Sequence, residues 1–342
     1  MKITIPSVSL TKQSVSEIAS TIDSAKDGLL WVHDLPAAPL DTALATLLDH
    51  LAADDSLGER LNQAYTNNLV YKDSYKAGKG GPTVDRKRVL DLSPERLEII
   101  AKADPNLLET NNSHVGQVSL RESLAFWDKL SHSSKKISEA LAMAIGSDDM
   151  LKDVFFNYRM VDYYPSGETK KEVEELEGPR CGEHRDFGSF TLIYTNQPGL
   201  QIFQESTKTW VDIPNDTNEQ SHCSAILLFG WCTQIRSNGR IPAVLHRVVD
   251  DTNARRVSAV LFTAPKHAET PLEPVVRPGE EPRYISGVQV GQLRGNMARK
   301  WQCREGTISP ENAVLEEEEI RVQPHRKTQD DVIRDLVAVV SK

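Results

Sequence analysis

The sequence predicts a mainly β protein with flanking helices, in which an antiparallel sandwich or barrel forms the core. Two observations favour this fold class. Short runs rich in β-branched and aromatic residues, separated by Gly, Pro, Asn and Asp, fill much of the second half of the chain, as is typical of antiparallel strands. Ahead of them, apolar residues recur at helical spacing from Leu120 to Ile145, which predicts one long amphipathic helix.

Residues 1–150 are predicted to be a mostly helical region that packs on the core. The region begins with a short strand and a helix from about Ser14 to Lys26, followed by an apolar strand from Gly28 to Val32. A second helix is predicted from Asp41 to Ala53. The stretch from Tyr71 to Asp85 contains several glycines and a proline, so we interpret it as a surface loop.

The predicted β-rich core comprises residues 151–268. Residues 269–342 are predicted to form a helical extension and a candidate lid over an active site. Its helices are predicted from about Val288 to Trp301 and from Asp330 to Val340, and the acidic run between them is interpreted as a solvated face. The predicted core strands are Val154 to Tyr164, Ser189 to Tyr194, Leu200 to Phe203, Trp210 to Ile213, Ser224 to Phe229, Val244 to Val249 and Val257 to Phe262.

Composition narrows the classes of function. The 342 residues carry a formal net charge of −9, and no basic stripe interleaved with aromatic residues is present, so we expect no nucleic-acid partner. No apolar run has the length of a membrane span and the start lacks a signal segment, so we expect a cytoplasmic protein without a membrane partner. The four cysteines form no CxxC pair and are expected to be free thiols.

Three side chains suggest a metal site. His184 and Asp186 are two residues apart, and on an extended segment such residues point to the same side. His246 lies in another predicted strand of the same β-rich region. Two histidines and one carboxylate are the facial set that leaves open coordination positions on Fe(II). A turn histidine beside a solvated aspartate would give the same local pattern.

A basic residue and a hydroxyl are predicted beside this set. If the chain turns near Asp251, the segment after His246 forms a hairpin, and strand register places Arg256 about opposite His246. Arg256 and Ser258 then share one face. Arginine can bind a carboxylate with two parallel hydrogen bonds and the serine hydroxyl adds a third, so a dicarboxylate could chelate the metal at one end and be held at the other.

The order and spacing of these residues resemble one family. The chain is similar to the isopenicillin-N-synthase-like group of 2-oxoglutarate and iron dependent oxygenases, most clearly over residues 150–265. The residues that carry the resemblance are His184, Arg185, Asp186, Phe187, Gly188, Thr191, Leu192, Gly199, Leu200, Gln201, Ile202, Trp210, Ile213, Pro214, Gly230, Gln234, Ser237, Asn238, Gly239, Arg240, His246, Arg247, Val248, Val249, Arg256, Val257 and Ser258.

The resemblance implies a double-stranded β-helix, or jelly-roll, core. It implies that His184, Asp186 and His246 bind Fe(II), and that Arg256 and Ser258 bind the distal carboxylate of the co-substrate 2-oxoglutarate. Tyr164 matches a family tyrosine that helps to hold this carboxylate, although an ordinary strand aromatic would fit the position too. The chain departs from the family pattern at Asp162, where many relatives carry Asn, and at Trp231, where an Asp is usual.

The implied activity is oxidation of a small molecule by dioxygen, with 2-oxoglutarate as co-substrate. Hydroxylation, desaturation and ring rearrangement all fit, and the segment Ile241 to Ala243 resembles a ring-expanding branch of the family, which favours a secondary-metabolite substrate. Two alternatives share these residues: an iron-dependent oxidase that does not use 2-oxoglutarate, and a non-catalytic binding module on the same fold. The oligomeric state and the identity of the substrate do not follow from the sequence.

Overall fold

A computed structural model describes residues 4–53, 56–65, 70–73, 85, 87–107, 115–148, 153–163, 180–214, 223–249 and 254–304. Within these ranges the chain forms three β-sheets, of which the two larger ones face each other and the third is a two-stranded pair, with a layer of helices outside them. The strands are β1 Ser7–Ser9, β2 Leu29–His33, β3 Tyr71–Asp73, β4 Lys87–Leu92, β5 Val154–Tyr163, β6 Cys181–His184, β7 Phe190–Thr195, β8 Leu200–Gln204, β9 Thr209–Asp212, β10 Ala225–Phe229, β11 His246–Val248, β12 Arg256–Pro265, β13 Pro271–Leu272 and β14 Val288–Gln289.

The helices are short except for one. Leu40–Leu44 is a π-helical segment that leads into α2, and Pro105–Leu107 is a single turn of 3₁₀-helix. The α-helices are α1 Val15–Ser24, α2 Ala45–Ala53, α3 Ser56–Ala64, α4 Pro94–Ala103, α5 Val115–Ile145, α6 Trp231–Arg236 and α7 Val290–Arg304.

The large sheet has eight strands in the order β1-β2-β10-β7-β12-β5-β4-β3, and the small sheet has four in the order β6-β11-β8-β9. All of these pairs are antiparallel except β1 with β2. A buried apolar cluster fills the space between the sheets, with Val161 and Ile193 from the large sheet and Ile202 and Val248 from the small one. This is a jelly-roll, as the sequence predicted.

The helical layer covers the opposite face of the large sheet. Helix α5 presents Trp127 to the sheet, where the indole stacks on Tyr158 of β5 with ring centroids 5.0 Å apart and an interplanar angle of 5°. The Tyr158 hydroxyl is hydrogen-bonded to Ser131 on the next turn of α5 at 2.8 Å. Helix α1 begins at a capping box in which Ser14 and Glu17 exchange hydrogen bonds, an arrangement worth about 1 kcal/mol. The major apolar core therefore lies between helices and sheet.

The structure confirms the seven predicted core strands and the long helix, which begins five residues before Leu120, at Val115. The first helix and the strand after it are also present. The predicted 41–53 helix begins at Ala45, because a π-helical segment precedes it, and the predicted 288–301 helix begins at Val290, after β14. The helix predicted from Asp330 to Val340 and the acidic run lie outside the described residues.

Two predictions about strands were wrong. Part of the stretch interpreted as a loop, Tyr71–Asp73, is a strand that pairs with β4. The sequence analysis identified neither of these two strands. The predicted hairpin after His246 is also wrong, because β11 pairs with β6 and β8 whereas β12 pairs with β5 and β7 in the other sheet. β12 is buried along almost its whole length, because the helical layer covers one of its faces and the small sheet covers the other.

Among the described residues, no helix combines the length and the apolar character needed to cross a membrane. Cys223 and Cys232 are free thiols, as the sequence predicted for them.

Candidate metal centre

Three side chains converge between the sheets. His184 ends β6 and His246 begins β11, and the two residues lie directly opposite each other in the antiparallel pair. Asp186 follows β6 by two residues. One ligand atom from each of these three side chains lies within 4.8 Å of the other two, and the Nε2 atom of His184 is 3.6 Å from Oδ1 of Asp186. The structure thus brings together all three residues that the sequence singled out as a metal set.

Backbone carbonyls orient both imidazoles. The Nδ1 atom of His184 lies 2.8 Å from the carbonyl oxygen of Gly182, and Nδ1 of His246 lies 3.0 Å from that of Val244. A carbonyl accepts only, so Nδ1 carries the proton in each ring and Nε2 keeps its lone pair. Both rings therefore direct an available nitrogen toward Asp186, which is the arrangement that metal-binding histidines adopt.

Asp186 is held from two sides. Its Oδ2 atom accepts a hydrogen bond of 2.5 Å from the Thr191 hydroxyl on β7, and its backbone carbonyl accepts from the backbone N–H of Trp231 at 2.9 Å. The chain can pack this closely only because residue 230 is glycine. A Cβ atom at Gly230 would lie 2.4 Å from the carbonyl oxygen of Gly188 and 2.8 Å from that of Asp186.

The surroundings lower the pKa values of all three groups. Burial lowers the pKa of His184, and burial together with the neighbouring His184 lowers the pKa of His246 to about 4. Burial alone would raise the pKa of Asp186, but His246, His184 and the Thr191 hydroxyl outweigh it, and its pKa lies below the ordinary value. At neutral pH the set consists of two neutral imidazoles and a carboxylate, the protonation states that metal ligands require.

Arg256 and Ser258 lie on the face of β12 that points between the sheets. Both side chains are buried, with exposures of 1% and 0%. The Arg256 Nε group donates to the carbonyl of Gln197 at 3.2 Å, and its guanidinium lies over the ring of Tyr163 at 4.9 Å. Within the described part of the chain, neither Nη2 of Arg256 nor Oγ of Ser258 has a hydrogen-bond partner. Buried polar atoms without partners cost free energy, so this pair fits a ligand that supplies acceptors.

Tyr164, the third residue predicted to contact the co-substrate, lies outside the described residues, so its role stays a prediction. The neighbouring Tyr163 is the tyrosine that stands across from Arg256 in the β12–β5 pair. The sequence analysis did not select Tyr163, because the family pattern pointed to the next position.

Several charged residues of the interior also escaped the sequence analysis. The Lys87 ammonium on β4 donates to Asp85 Oδ2 at 2.7 Å and lies 3.3 Å from the sulfur of Cys181. On the same face of β4, Asp91 accepts two hydrogen bonds from Arg159 of β5. The alternation of side chains along β4 could have identified them, since residues 87, 89 and 91 face the interior while Leu90 and Leu92 join the core beneath the helices.

Comparison with known proteins shows which family the chain resembles. Residues 154–265, about a third of the chain, match the model of the 2OG-Fe(II) oxygenase superfamily. Gibberellin 2-beta-dioxygenase 2 of Arabidopsis thaliana is 28% identical over 179 residues, which are 49% of this chain and 50% of the relative. The 2-oxoglutarate-dependent dioxygenase ecdG of Aspergillus rugulosus is 24% identical over 155 residues, 44% of this chain and 45% of the relative.

The matched part of the chain thus spans at most about half the length of these curated relatives. Solved structures are similar over more of the chain. The dioxygenase for auxin oxidation in rice has a TM-score of 0.66 and 17% identity, covering 93% of this chain and 100% of that one. The dioxygenase for auxin oxidation 1 from Arabidopsis thaliana, in its complex with 2-oxoglutarate, has a TM-score of 0.57 and 17% identity, covering 76% and 92%. These likenesses confirm the jelly-roll fold.

Proposed function

We propose that this protein is an Fe(II)- and 2-oxoglutarate-dependent dioxygenase that oxidises a small organic molecule. The observation that carries the proposal is the convergence of His184, Asp186 and His246, with both Nδ1 atoms engaged by carbonyls. A set of two imidazoles and one carboxylate with open positions is typical of non-haem iron(II) oxygenases. The match of residues 154–265 to the model of the 2OG-Fe(II) oxygenase superfamily supports the same assignment.

Fe(II) fits the donor set of the site. Two neutral imidazole nitrogens and a carboxylate oxygen offer three ligands, which leaves the remaining octahedral positions to a co-substrate and dioxygen. The hydrogen bond from Thr191 leaves Oδ1 of Asp186, which faces His184, as the oxygen directed at the ion. In this proposal His184, Asp186 and His246 are the iron ligands and the catalytic centre.

2-Oxoglutarate fits the two atoms that lack partners. The Arg256 guanidinium and the Ser258 hydroxyl would bind its distal carboxylate, since both are buried and aligned on one face of β12. A charge-assisted pair with arginine is about twice as strong as a neutral hydrogen bond. Gln197 and Tyr163 fix the guanidinium in advance, so the chain loses little conformational freedom when the dicarboxylate binds.

When bound together, the iron and 2-oxoglutarate supply the oxidising chemistry, in which dioxygen oxidises the substrate while the co-substrate is cleaved to succinate and carbon dioxide. The protein contributes orientation, charge and exclusion of water. Arg256 and Ser258 orient the dicarboxylate, and the two carbonyl-bound imidazoles keep their nitrogens available for the ion. The buried cluster between the sheets, which includes Ile193 and Ile202, keeps bulk water away from the co-substrate.

For the substrate class we propose a small secondary metabolite, and for the location the cytoplasm. The relatives support a small molecule, because their printed names include gibberellin dioxygenases and a fungal 2-oxoglutarate-dependent dioxygenase. The formal net charge of −9 speaks against nucleic acid as a partner.

Anaerobic reconstitution with Fe(II), followed by addition of 2-oxoglutarate, tests the proposal. We expect a weak visible charge-transfer band in the wild type and none in Asp186→Ala. Asp212→Ala is the matched control, because Asp212 lies on β9 and bonds only the side chain of Gln201 among the contacts described; it should retain the band. If the wild type binds iron without developing the band, the protein is an oxidase that does not use 2-oxoglutarate or a binding module, and the proposal is wrong.

A further inference from the structure

A buried ion pair lines the interior beside the candidate metal centre. Arg159 of β5 stands directly across from Asp91 of β4, and its Nε and Nη2 groups donate to the two carboxylate oxygens at 2.7 and 2.9 Å. Asn157 donates to the same carboxylate at 3.2 Å. The Arg159 side chain is nevertheless 33% exposed. A residue in the middle of a central strand keeps such exposure only if its outer end reaches an open space.

The open space adjoins the metal set. The Arg159 guanidinium lies 5.0 Å from the ring centroid of Phe262, and Phe262 is paired with Thr191, whose hydroxyl binds Asp186. Arg159 is therefore a fixed cation close to the iron ligands.

Arg159 lies apart from the pair proposed to bind the co-substrate. On β12, Arg256 and Ser258 are opposite Tyr163 and Val161, whereas Arg159 is opposite Val260, one interior position further along the strand. The co-substrate carboxylate and Arg159 thus occupy successive places on the interior face. Asp91 engages the Nε and Nη2 groups, and a guanidinium has a second edge, formed by Nη1 and Nη2, that can bind another carboxylate.

We propose that the substrate is a small carboxylate, and that Arg159, held by Asp91, is the residue that binds its negative charge. This inference rests on the proposed function and extends it to the substrate class. Asp91 occupies the Nε and Nη2 groups of Arg159, and the second edge of the guanidinium offers two parallel donors whose geometry matches a carboxylate. Arg159 would then set the orientation of the substrate relative to the iron.

Matched pairs of acids and amides test the proposal by binding alone. The protein is loaded anaerobically with Fe(II) and 2-oxoglutarate and titrated calorimetrically with phenylacetate, indole-3-acetate and octanoate, and with the carboxamide of each. For at least one pair we expect the wild type to bind the acid more tightly than the amide, by about tenfold or more, as one charge-assisted contact contributes. Arg159→Gln should bring the ratio of the two affinities close to one.

A second variant should change the ratio of acid to amide affinity in the opposite direction. In Asp91→Asn the guanidinium keeps its hydrogen-bonding neighbour but loses the charge that offsets it, so the preference for the acid should rise. A purely structural ion pair would instead lower acid and amide binding alike in both variants. Arg247→Gln is the matched control: Arg247 lies on β11, stacks on Trp210 with its guanidinium 4.0 Å from the ring centroid and bonds Gln201, and its loss should leave the ratio unchanged.

The outcomes separate the two proposals. If the charge-transfer band forms but no acid binds more tightly than its amide, or if Arg159→Gln weakens both equally, the assignment of Arg159 is wrong and the proposed function stands. If Arg159→Gln does not fold, the double variant Arg159→Gln with Asp91→Asn removes both charges together, and it should show the same loss of preference. If the band itself is absent in the wild type, the proposed function fails and this inference falls with it.

Discussion

Replacing Thr191 by valine removes one hydroxyl and leaves the shape of the side chain. That hydroxyl donates to Oδ2 of Asp186 at 2.5 Å, and both residues are buried, with exposures of 1% and 9%. A hydrogen bond to a charged group contributes about 1.5–3 kcal/mol, and about 1.4 kcal/mol corresponds to a factor of ten in affinity. Thr191→Val should therefore weaken Fe(II) binding by roughly 10- to 100-fold, the range expected for residues that support metal ligands.

The assay is an anaerobic titration of the metal-free protein with Fe(II) in the absence of 2-oxoglutarate. Thr195→Val is the control, because Thr195 lies on the same face of β7 but bonds the carbonyl of Gln197 and not a ligand. Urea unfolding of both variants checks that they are folded under the conditions of the titration, and only Thr191→Val should lose iron affinity. An iron affinity of Thr191→Val within twofold of the wild type would refute the reasoning that Thr191 orients Asp186.

Three further predictions concern the co-substrate, pH and packing. Arg256→Leu should weaken 2-oxoglutarate binding at least about 30-fold, since it removes a buried charge partner. The control Arg255→Gln, which loses a side chain bonded to Asp162, should keep its affinity for 2-oxoglutarate. The charge-transfer band measures the affinity of both variants, and equal affinities would contradict the assignment. The pKa of His246 is lowered to about 4, so between about pH 6.5 and 4 the unfolded metal-free chain binds more protons than the folded one. The free energy of unfolding should therefore decrease as the pH is lowered through that window. Urea unfolding checks this, and a flat profile would count against burial of the neutral ring. Gly230→Ala should lower stability by about 1–3 kcal/mol and weaken iron binding, because its Cβ would lie 2.4 Å from the Gly188 carbonyl oxygen. Thermal unfolding with and without iron measures both effects, and unchanged unfolding temperatures would show that the contact can relax.

The local sequence pattern was sufficient to find seven of the core strands and the three side chains that converge between the sheets. Strands such as β7 and β10 are short, apolar and bounded by turn residues, and these properties are written in consecutive residues. His184 and Asp186 are also close in the sequence, two residues apart. His246 was chosen because it lies in another predicted strand of the same β-rich region and completes a set of two histidines and one carboxylate; the structure places it opposite His184 in the sheet.

Pairing between distant strands could not be obtained in that way. A hairpin was predicted after His246 because strands that follow each other often pair, yet β11 and β12 lie in different sheets. β4 was missed because its interior face carries Lys87 and Asp91. Charged residues are not typical of a buried strand, and they become understandable only once Arg159 and Asp85 are seen beside them.

The division of the site between the two sheets explains why charge is concentrated there. The small sheet supplies His184 and His246, while the large sheet supplies Arg256, Ser258 and Arg159. A jelly-roll without a ligand would be more stable with apolar side chains at the positions of Arg256 and Ser258, since replacing buried polar groups by packed apolar ones is often stabilising. The interior therefore retains a stability cost that a bound dianion would offset, which is the physical reason to expect the protein to be more stable with iron and 2-oxoglutarate than without them.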